Sequence, residues 1–131
     1  MVASDIEAKL GWKPGMVSRV SHLPDDLAGS FPGVLAARGD DPVWHLIFVT
    51  NTADLATAAS SDIVHYRRGQ HLWVAYPKKS SSIKTDVDRD HGWEPFRPLD
   101  LHAVTQVSIS PTWSALRFRY RDEIKSFTRK F

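Results

Sequence analysis

Two short apolar runs, residues 43–49 and 71–76, constrain the fold more than any other feature of the sequence. Each run is almost uninterrupted, which is typical of strands buried on both faces near the centre of a parallel sheet. Between them, apolar residues recur at roughly helical spacing over residues 55–66, after a candidate N-cap at Asn51 or Thr52. A strand, a helix and a strand of these lengths predict a right-handed parallel crossover.

The regions on either side give weaker patterns. Residues 86–98 contain prolines and predict only a short helix. Two strands are predicted after it, and the pattern before the crossover predicts a short helix, a turn and two short strands. The predicted strands are residues 16–20, 34–37, 103–110 and 114–121, the helix precedes Gly11, the turn is residues 13–15, and a hairpin turn lies at Pro111 and Thr112. A chain of 131 residues needs only one core, so we predict a single α/β domain with a mostly parallel sheet and a C-terminal antiparallel hairpin.

Composition excludes several classes of function. The chain has no cysteine, which rules out disulfides, thiolate catalysis and cysteine-ligated metal sites. Its net charge of +2 is too small to indicate nucleic-acid binding by itself. No apolar stretch approaches the ~18 residues of a membrane span, and the acidic N-terminal residues do not resemble a secretory signal. We therefore expect a cytoplasmic protein without a membrane anchor.

Four stretches of the sequence resemble a known group of proteins. They are residues 10–16, 46–50, 72–80 and 112–116, and the most specific is the aromatic-Pro-Lys-Lys segment within residues 72–80. They are similar to short bacterial proteins of unassigned function that look like trimmed methyltransferase domains. The resemblance implies a three-layer Rossmann-like fold and transfers no catalytic residue.

The segment after the first predicted strand departs from true methyltransferases. Those enzymes hold S-adenosylmethionine over a glycine-rich turn, because only glycine allows such close backbone approach. Here residues 21–26 contain Pro24, Asp25 and Asp26 and no glycine. We therefore expect no S-adenosylmethionine cofactor, although the crevice at the strand ends could accept another ligand.

Lys78, Lys79, Ser80 and Ser81 follow the second apolar run directly. Open α/β sheets place ligands beyond the carboxyl ends of their parallel strands, where two ammonium groups and neighbouring hydroxyls would suit an anion. The alternative is a solvated loop whose lysines only maintain solubility. We keep both interpretations of this loop, and the anion site is a hypothesis.

Two other sets of residues are candidates for a partner surface. Trp12 and Trp93 fall in predicted turn or short-helix segments and could be exposed. Arginines alternate along the last predicted strand, and basic residues continue beyond it: Arg117, Arg119, Arg121, Lys125, Arg129 and Lys130. These cations could bind an anionic partner or nucleic acid, or they could discourage pairing at an exposed sheet edge, which is the explanation we favour.

No pattern indicates a catalytic or metal site. The six histidines show no zinc-binding spacing, and no serine lies in a nucleophile elbow. Two hypotheses follow. The first is a noncatalytic binding module for a small anionic ligand or a protein partner. The second is a small enzyme that binds a nucleotide-like or anionic ligand near residues 77–82.

Overall fold

A computed structural model describes residues 3–124 of the chain. Within these residues the strands are β1 (Ser18–Ser21), β2 (Trp44–Phe48), β3 (His71–Pro77), β4 (Leu101–Ser108) and β5 (Trp113–Tyr120). The α-helices are α1 (Asp5–Lys9), α2 (Pro32–Ala36) and α3 (Thr52–Ser61). Short 3-10 helices span Asp25–Leu27, Ile63–His65, Glu94–Leu99 and Arg121–Glu123. None of the helices in this part of the chain is long and apolar enough to cross a bilayer.

The strands form one mixed sheet in the order β1-β2-β3-β5-β4. The pairs β1–β2 and β2–β3 are parallel, whereas β5 lies antiparallel to both of its neighbours. The predicted α/β class, the parallel pairing of the two apolar runs and the C-terminal hairpin are therefore confirmed. The prediction of a mostly parallel sheet is wrong for the pairing within residues 3–124, because β5 adds two antiparallel pairs to the two parallel ones. Because β5 is inserted between β3 and β4, the last strand of the hairpin is an interior strand and β4 forms the edge.

Helix α3 covers one face of the sheet. It begins at the predicted cap, where the Asn51 side chain accepts a hydrogen bond from the Asp54 amide at 2.9 Å. It ends at Ser61, five residues before the predicted end. Asp62 is buried there and accepts hydrogen bonds from the side chains of Arg19 and Ser21 of β1, which holds the end of the helix against that strand. The core on this face, called the α3 face below, includes Ile47, Leu55, Leu72, Val74, Tyr76, Phe96, Leu116 and Phe118.

The opposite face, called the N-terminal face, is covered by α1, α2 and their loops. Its core includes Leu10, Trp12, Phe31, Val34, Trp44, Leu46, Trp73 and Trp113. The carbonyl of Leu10 accepts hydrogen bonds from two buried indoles, Trp44 Nε1 at 2.8 Å and Trp73 Nε1 at 2.7 Å. This single peptide group therefore fixes the N-terminal segment against β2 and β3 together.

Helix α2 replaces one of the predicted strands. Residues 34–37 were expected to be extended, and that prediction is wrong because Pro32 occupies the first helical position, where its fixed φ favours a helix. The buried carboxylate of Glu7 in α1 accepts a hydrogen bond from the Val34 amide at 2.7 Å and another from the Ser4 amide at 2.8 Å. These bonds hold the two five-residue helices together.

Candidate functional site

The predicted anion-site residues lie in the loop after β3, and both lysines already have partners in the protein. Lys78 Nζ donates to the Ser108 hydroxyl at 2.6 Å, and Lys79 Nζ donates to the Thr85 carbonyl at 2.7 Å. Ser80 is exposed, and the Ser81 amide closes a turn onto the Lys78 carbonyl. The loop borders a shallow depression of about 380 Å³. The groups that accept hydrogen bonds from Lys78 and Lys79 carry no charge. The anion site therefore stays a prediction.

The chain's own carboxylates fill the anion-binding positions at the carboxyl end of β2. Asp86 accepts a hydrogen bond from the Thr52 amide, at the first residue of α3, at 2.8 Å. Asp54 accepts bonds from the Thr50 hydroxyl and amide at 2.7 and 2.9 Å, and these bonds lower the pKa of Asp54. An anion that approached the start of α3 would therefore compete with two fixed carboxylates.

The turn after β1 also limits how closely a ligand could approach the backbone. His22 has φ of 62°, a left-handed conformation that non-glycine residues adopt at a cost. Pro24 follows and precedes the 3-10 helix Asp25–Leu27. The turn thus contains no glycine, and the expectation that no S-adenosylmethionine binds beside it stays a prediction.

The two tryptophans proposed as a partner surface lie in different environments. The prediction that Trp12 is exposed is wrong: its side chain is 1% exposed, and its Nε1 donates to the Met16 carbonyl at 3.2 Å. The indole packs so closely on Gly33 that a Cβ there would lie 2.6 Å from the ring. Trp93 is partly exposed and belongs to the groove described below.

The arginines of the last strand do not protect a sheet edge. Arg117 and Arg119 lie on the interior strand β5, which is paired on both sides, so the edge explanation is wrong. Both side chains lie on the N-terminal face, opposite the buried Leu116 and Phe118, which confirms the predicted alternation. Arg121 leaves this row because it begins a 3-10 helix. Lys125, Arg129 and Lys130 lie outside the described residues.

A groove on the α3 face brings together residues that the sequence pattern did not connect. It lies between the 3-10 helix Glu94–Leu99 and the β4–β5 hairpin and has a volume of about 560 Å³. Its lining residues are Arg89, Asp90, Trp93, Phe96, Arg97, Leu101, His102, Ala103, Leu116 and Phe118. This volume is within the range of small-molecule sites.

Three aromatic rings form the apolar part of the groove. The Trp93 ring centroid lies 5.0 Å from Phe118 and 5.6 Å from Phe96, and the two phenylalanine rings are 5.1 Å apart. Phe96 and Phe118 are buried, whereas Trp93 keeps part of its surface in the groove. Trp93 Nε1 donates to the Asp88 carbonyl at 2.6 Å, which fixes the orientation of the indole. The apolar surface that this cluster presents to the groove is therefore that of the Trp93 indole, which the two buried rings hold in place.

Charged groups line the same groove. Arg89 and Asp90 form a loose pair with an N–O distance of 3.4 Å, and both are exposed. Arg97 is exposed, and its guanidinium has no ion-pair partner within residues 3–124. His102 Nε2 lies 2.8 Å from Asp100 Oδ1. The groove thus combines an apolar surface with one paired and one unpaired arginine.

Sequence reasoning missed this groove for a physical reason. Trp93 and Phe96 are close in sequence, and their spacing around Pro95 is a visible local signal. Phe118 lies more than twenty residues further along the chain and joins them only because β5 is inserted beside β3. The predicted strands did not specify that insertion.

Comparisons with protein-family models, curated proteins and solved structures found no match to this chain. The resemblance to trimmed methyltransferase domains therefore stays a prediction. Residues 3–124 contain no group of three or more histidine, aspartate or glutamate side chains placed to hold a metal ion.

Proposed function

We propose that this protein is a noncatalytic binding module that holds a small organic anion in the groove between the 3-10 helix Glu94–Leu99 and the β4–β5 hairpin. The observation that carries the proposal is the combination of ring surface and unpaired Arg97 guanidinium in one groove. Arginine binds carboxylate and phosphate groups through a fixed fork of donors, and the partly exposed Trp93 indole would cover the apolar body of the same ligand.

The lining side chains are better suited to binding than to proton transfer. Guanidinium groups do not serve as acids or bases in proteins, so the two arginines of the groove are suited to binding. Asp90 faces Arg89, and His102 is paired with Asp100, so both titratable groups already have partners. Such a lining recognises charge and shape.

The proposal also includes a more specific description of the fold. We infer a trimmed, Rossmann-like methyltransferase domain, and the order strand, helix, strand, short helix and hairpin supports this inference. The carboxylates at the start of α3 explain why an anionic ligand would use another part of the molecule than the strand ends.

Calorimetric titration with naphthoate and with its uncharged analogue naphthalenemethanol tests the proposed site. We expect naphthoate to bind with a dissociation constant on the order of 0.1–1 mM, as for a small ligand with one aromatic body. The alcohol should bind more weakly because it offers the guanidinium no charge. Arg97→Gln should weaken naphthoate binding by about fivefold to tenfold and leave the alcohol unchanged.

Arg38→Gln is the matched control, since Arg38 is an exposed arginine on the far side of the sheet beside β1. Equal affinities for naphthoate in the wild type and in Arg97→Gln would contradict the groove as the anion site. Loss of naphthoate binding only in Lys78→Ala/Lys79→Ala would instead favour the loop after β3 and the alternative hypothesis of a strand-end ligand.

A further inference from the structure

A second basic cluster lies on the N-terminal face of the sheet, whereas the rings of the groove lie on the α3 face. The register pairs Trp73 of β3 with Arg117 of β5, and His71 and Arg119 lie two residues further along these strands on the same face. Side chains that face each other across paired strands have Cβ atoms about 5 Å apart, and diagonal neighbours are about 7–8 Å apart. His71, Arg117 and Arg119 therefore form one compact group.

The loop after α1 completes this group from above the sheet. Gly11 lies directly against the imidazole, because a Cβ at this position would be 2.7 Å from His71 Nε2. Two residues later Lys13 adds a third cation, and its field reaches His71 together with those of Arg117 and Arg119. On the other side of His71 lies Trp44 of β2, which is uncharged. The charges that act on His71 are thus those of three cations.

Arg117 is the least compensated member of the cluster. Its Nε is buried without a hydrogen-bond partner, and among residues 3–124 its guanidinium forms no ion pair. Within residues 3–124, Arg119 forms a long ion-pair contact with Glu123, at 3.6 Å, and the charge of Glu123 also acts on Arg117. Burial, followed by repulsion from Arg119, lowers the pKa of Arg117. A buried donor beside like charges is costly unless an anion completes it.

We propose that Arg117, Arg119 and Lys13 bind a single tetrahedral dianion, of the phosphate type, on the N-terminal face of the sheet. His71 lies beside the bound ion and adds a hydrogen bond to it when protonated. This second site is independent of the groove and serves a different ligand chemistry.

The surroundings of the cluster limit the size of the ligand. Two carboxylates lie near it: Glu123, whose side chain is largely buried and whose charge acts on both Arg117 and Arg119, and Asp100, which is paired with His102 at the edge strand. His102 is the cross-strand partner of Arg119. An extended polyanion would meet these acids and be repelled by them. We therefore favour one phosphate group over a nucleic-acid strand.

His71 provides a direct spectroscopic reporter for this site. The test is an NMR titration of the imidazole from pH 4 to 8, assigned with His71→Gln, in sodium sulfate and in sodium chloride of equal ionic strength. Sulfate remains a dianion over this range, so any change in pKa belongs to the protein. We expect sulfate to raise the pKa of His71 by about one unit more than chloride does, a tenfold gain in proton affinity.

The shift caused by sulfate is then compared within each variant. Arg117→Gln should abolish it, Lys13→Gln should reduce it, and Arg38→Gln should leave it unchanged. Lys13 is an exposed loop residue, so its variant keeps the test valid even if Arg117→Gln folds poorly. Equal shifts in sulfate and chloride, or an undiminished shift in both cluster variants, would overturn the proposal. Tight binding of a DNA duplex without a sulfate effect would overturn it in favour of a polymeric ligand.

Discussion

The two faces of the sheet are held by different interactions. On the α3 face, the rings of Trp93, Phe96 and Phe118 pack in mutual contact beneath a ten-residue helix. On the N-terminal face, two five-residue helices are fixed by buried polar groups, chiefly the Leu10 carbonyl and the Glu7 carboxylate. Helices this short are unstable in isolation. The comparison shows that short elements need specific hydrogen bonds where a longer helix can rely on apolar packing.

Removing one ring from the α3 face should have the largest effect. Phe96→Ala deletes a side chain that is 1% exposed and leaves a cavity between Trp93 and Phe118. We expect a loss of about 3–5 kcal/mol in the free energy of unfolding, measured by urea denaturation. Val64→Ala is the control, because Val64 is 68% exposed and should change stability by less than about 0.5 kcal/mol. A loss below about 1 kcal/mol for Phe96→Ala would show that ring packing does not hold this face.

Removing one acceptor from the N-terminal face should have the next largest effect. Glu7→Gln keeps the shape of the side chain but turns an amide donor toward the amide of either Ser4 or Val34. We expect a loss of about 2 kcal/mol in the free energy of unfolding, since a buried donor loses its partner. Glu94→Gln makes the same chemical change at an exposed position and should be nearly neutral. Equal effects of the two substitutions would mean that the buried carboxylate does not hold α1 and α2 together.

The pH dependence of stability should show a smaller effect, which belongs to the N-terminal face. Burial, then the charges of Arg117, Arg119 and Lys13, lowers the pKa of His71 from 6.5 to about 4. Between these values the unfolded chain binds a proton that the folded protein excludes, so stability falls as the pH drops from 6.5 to 4. We expect the free energy of unfolding of His71→Gln to fall by on the order of 1 kcal/mol less than that of the wild type over this pH range. This figure allows for solvent screening at the partly exposed ring.

Urea denaturation of both proteins at a series of pH values measures this difference. His45 is also buried with a lowered pKa, but it is present in both proteins and cancels in the comparison. Parallel stability curves for wild type and His71→Gln between pH 4 and 6.5 would contradict the assignment to His71.

The fold was predictable where a pattern repeats along the chain. Uninterrupted apolar runs identified β2 and β3, and alternation identified β5, because burial on two faces or on one leaves a direct trace in sequence. The end of α3 was predicted too late, since the contact of Asp62 with Arg19 is invisible in the local pattern. Helix α2 was predicted as a strand because the apolar content of residues 34–37 outweighed Pro32.

The candidate sites were less predictable than the fold. The arginines of β5 were identified as cations on one face, but their neighbour His71 lies far away in sequence and approaches only through sheet pairing. Trp12 appeared exposed because it lies in a turn, and its burial depends on the close approach of Gly33. Both the approach of His71 to the arginines and the burial of Trp12 depend on contacts between segments that are distant in sequence. No local spacing in a single sequence indicates such contacts.

The double role of the Leu10 carbonyl has a consequence for the order of folding. Its donors, Trp44 and Trp73, lie 34 and 63 residues away along the chain, and they reach one oxygen only when β2 and β3 are already side by side. Closing loops of this length early would cost entropy without reward. We therefore expect the first elements in the chain to dock late, onto a central strand pair that has formed before them.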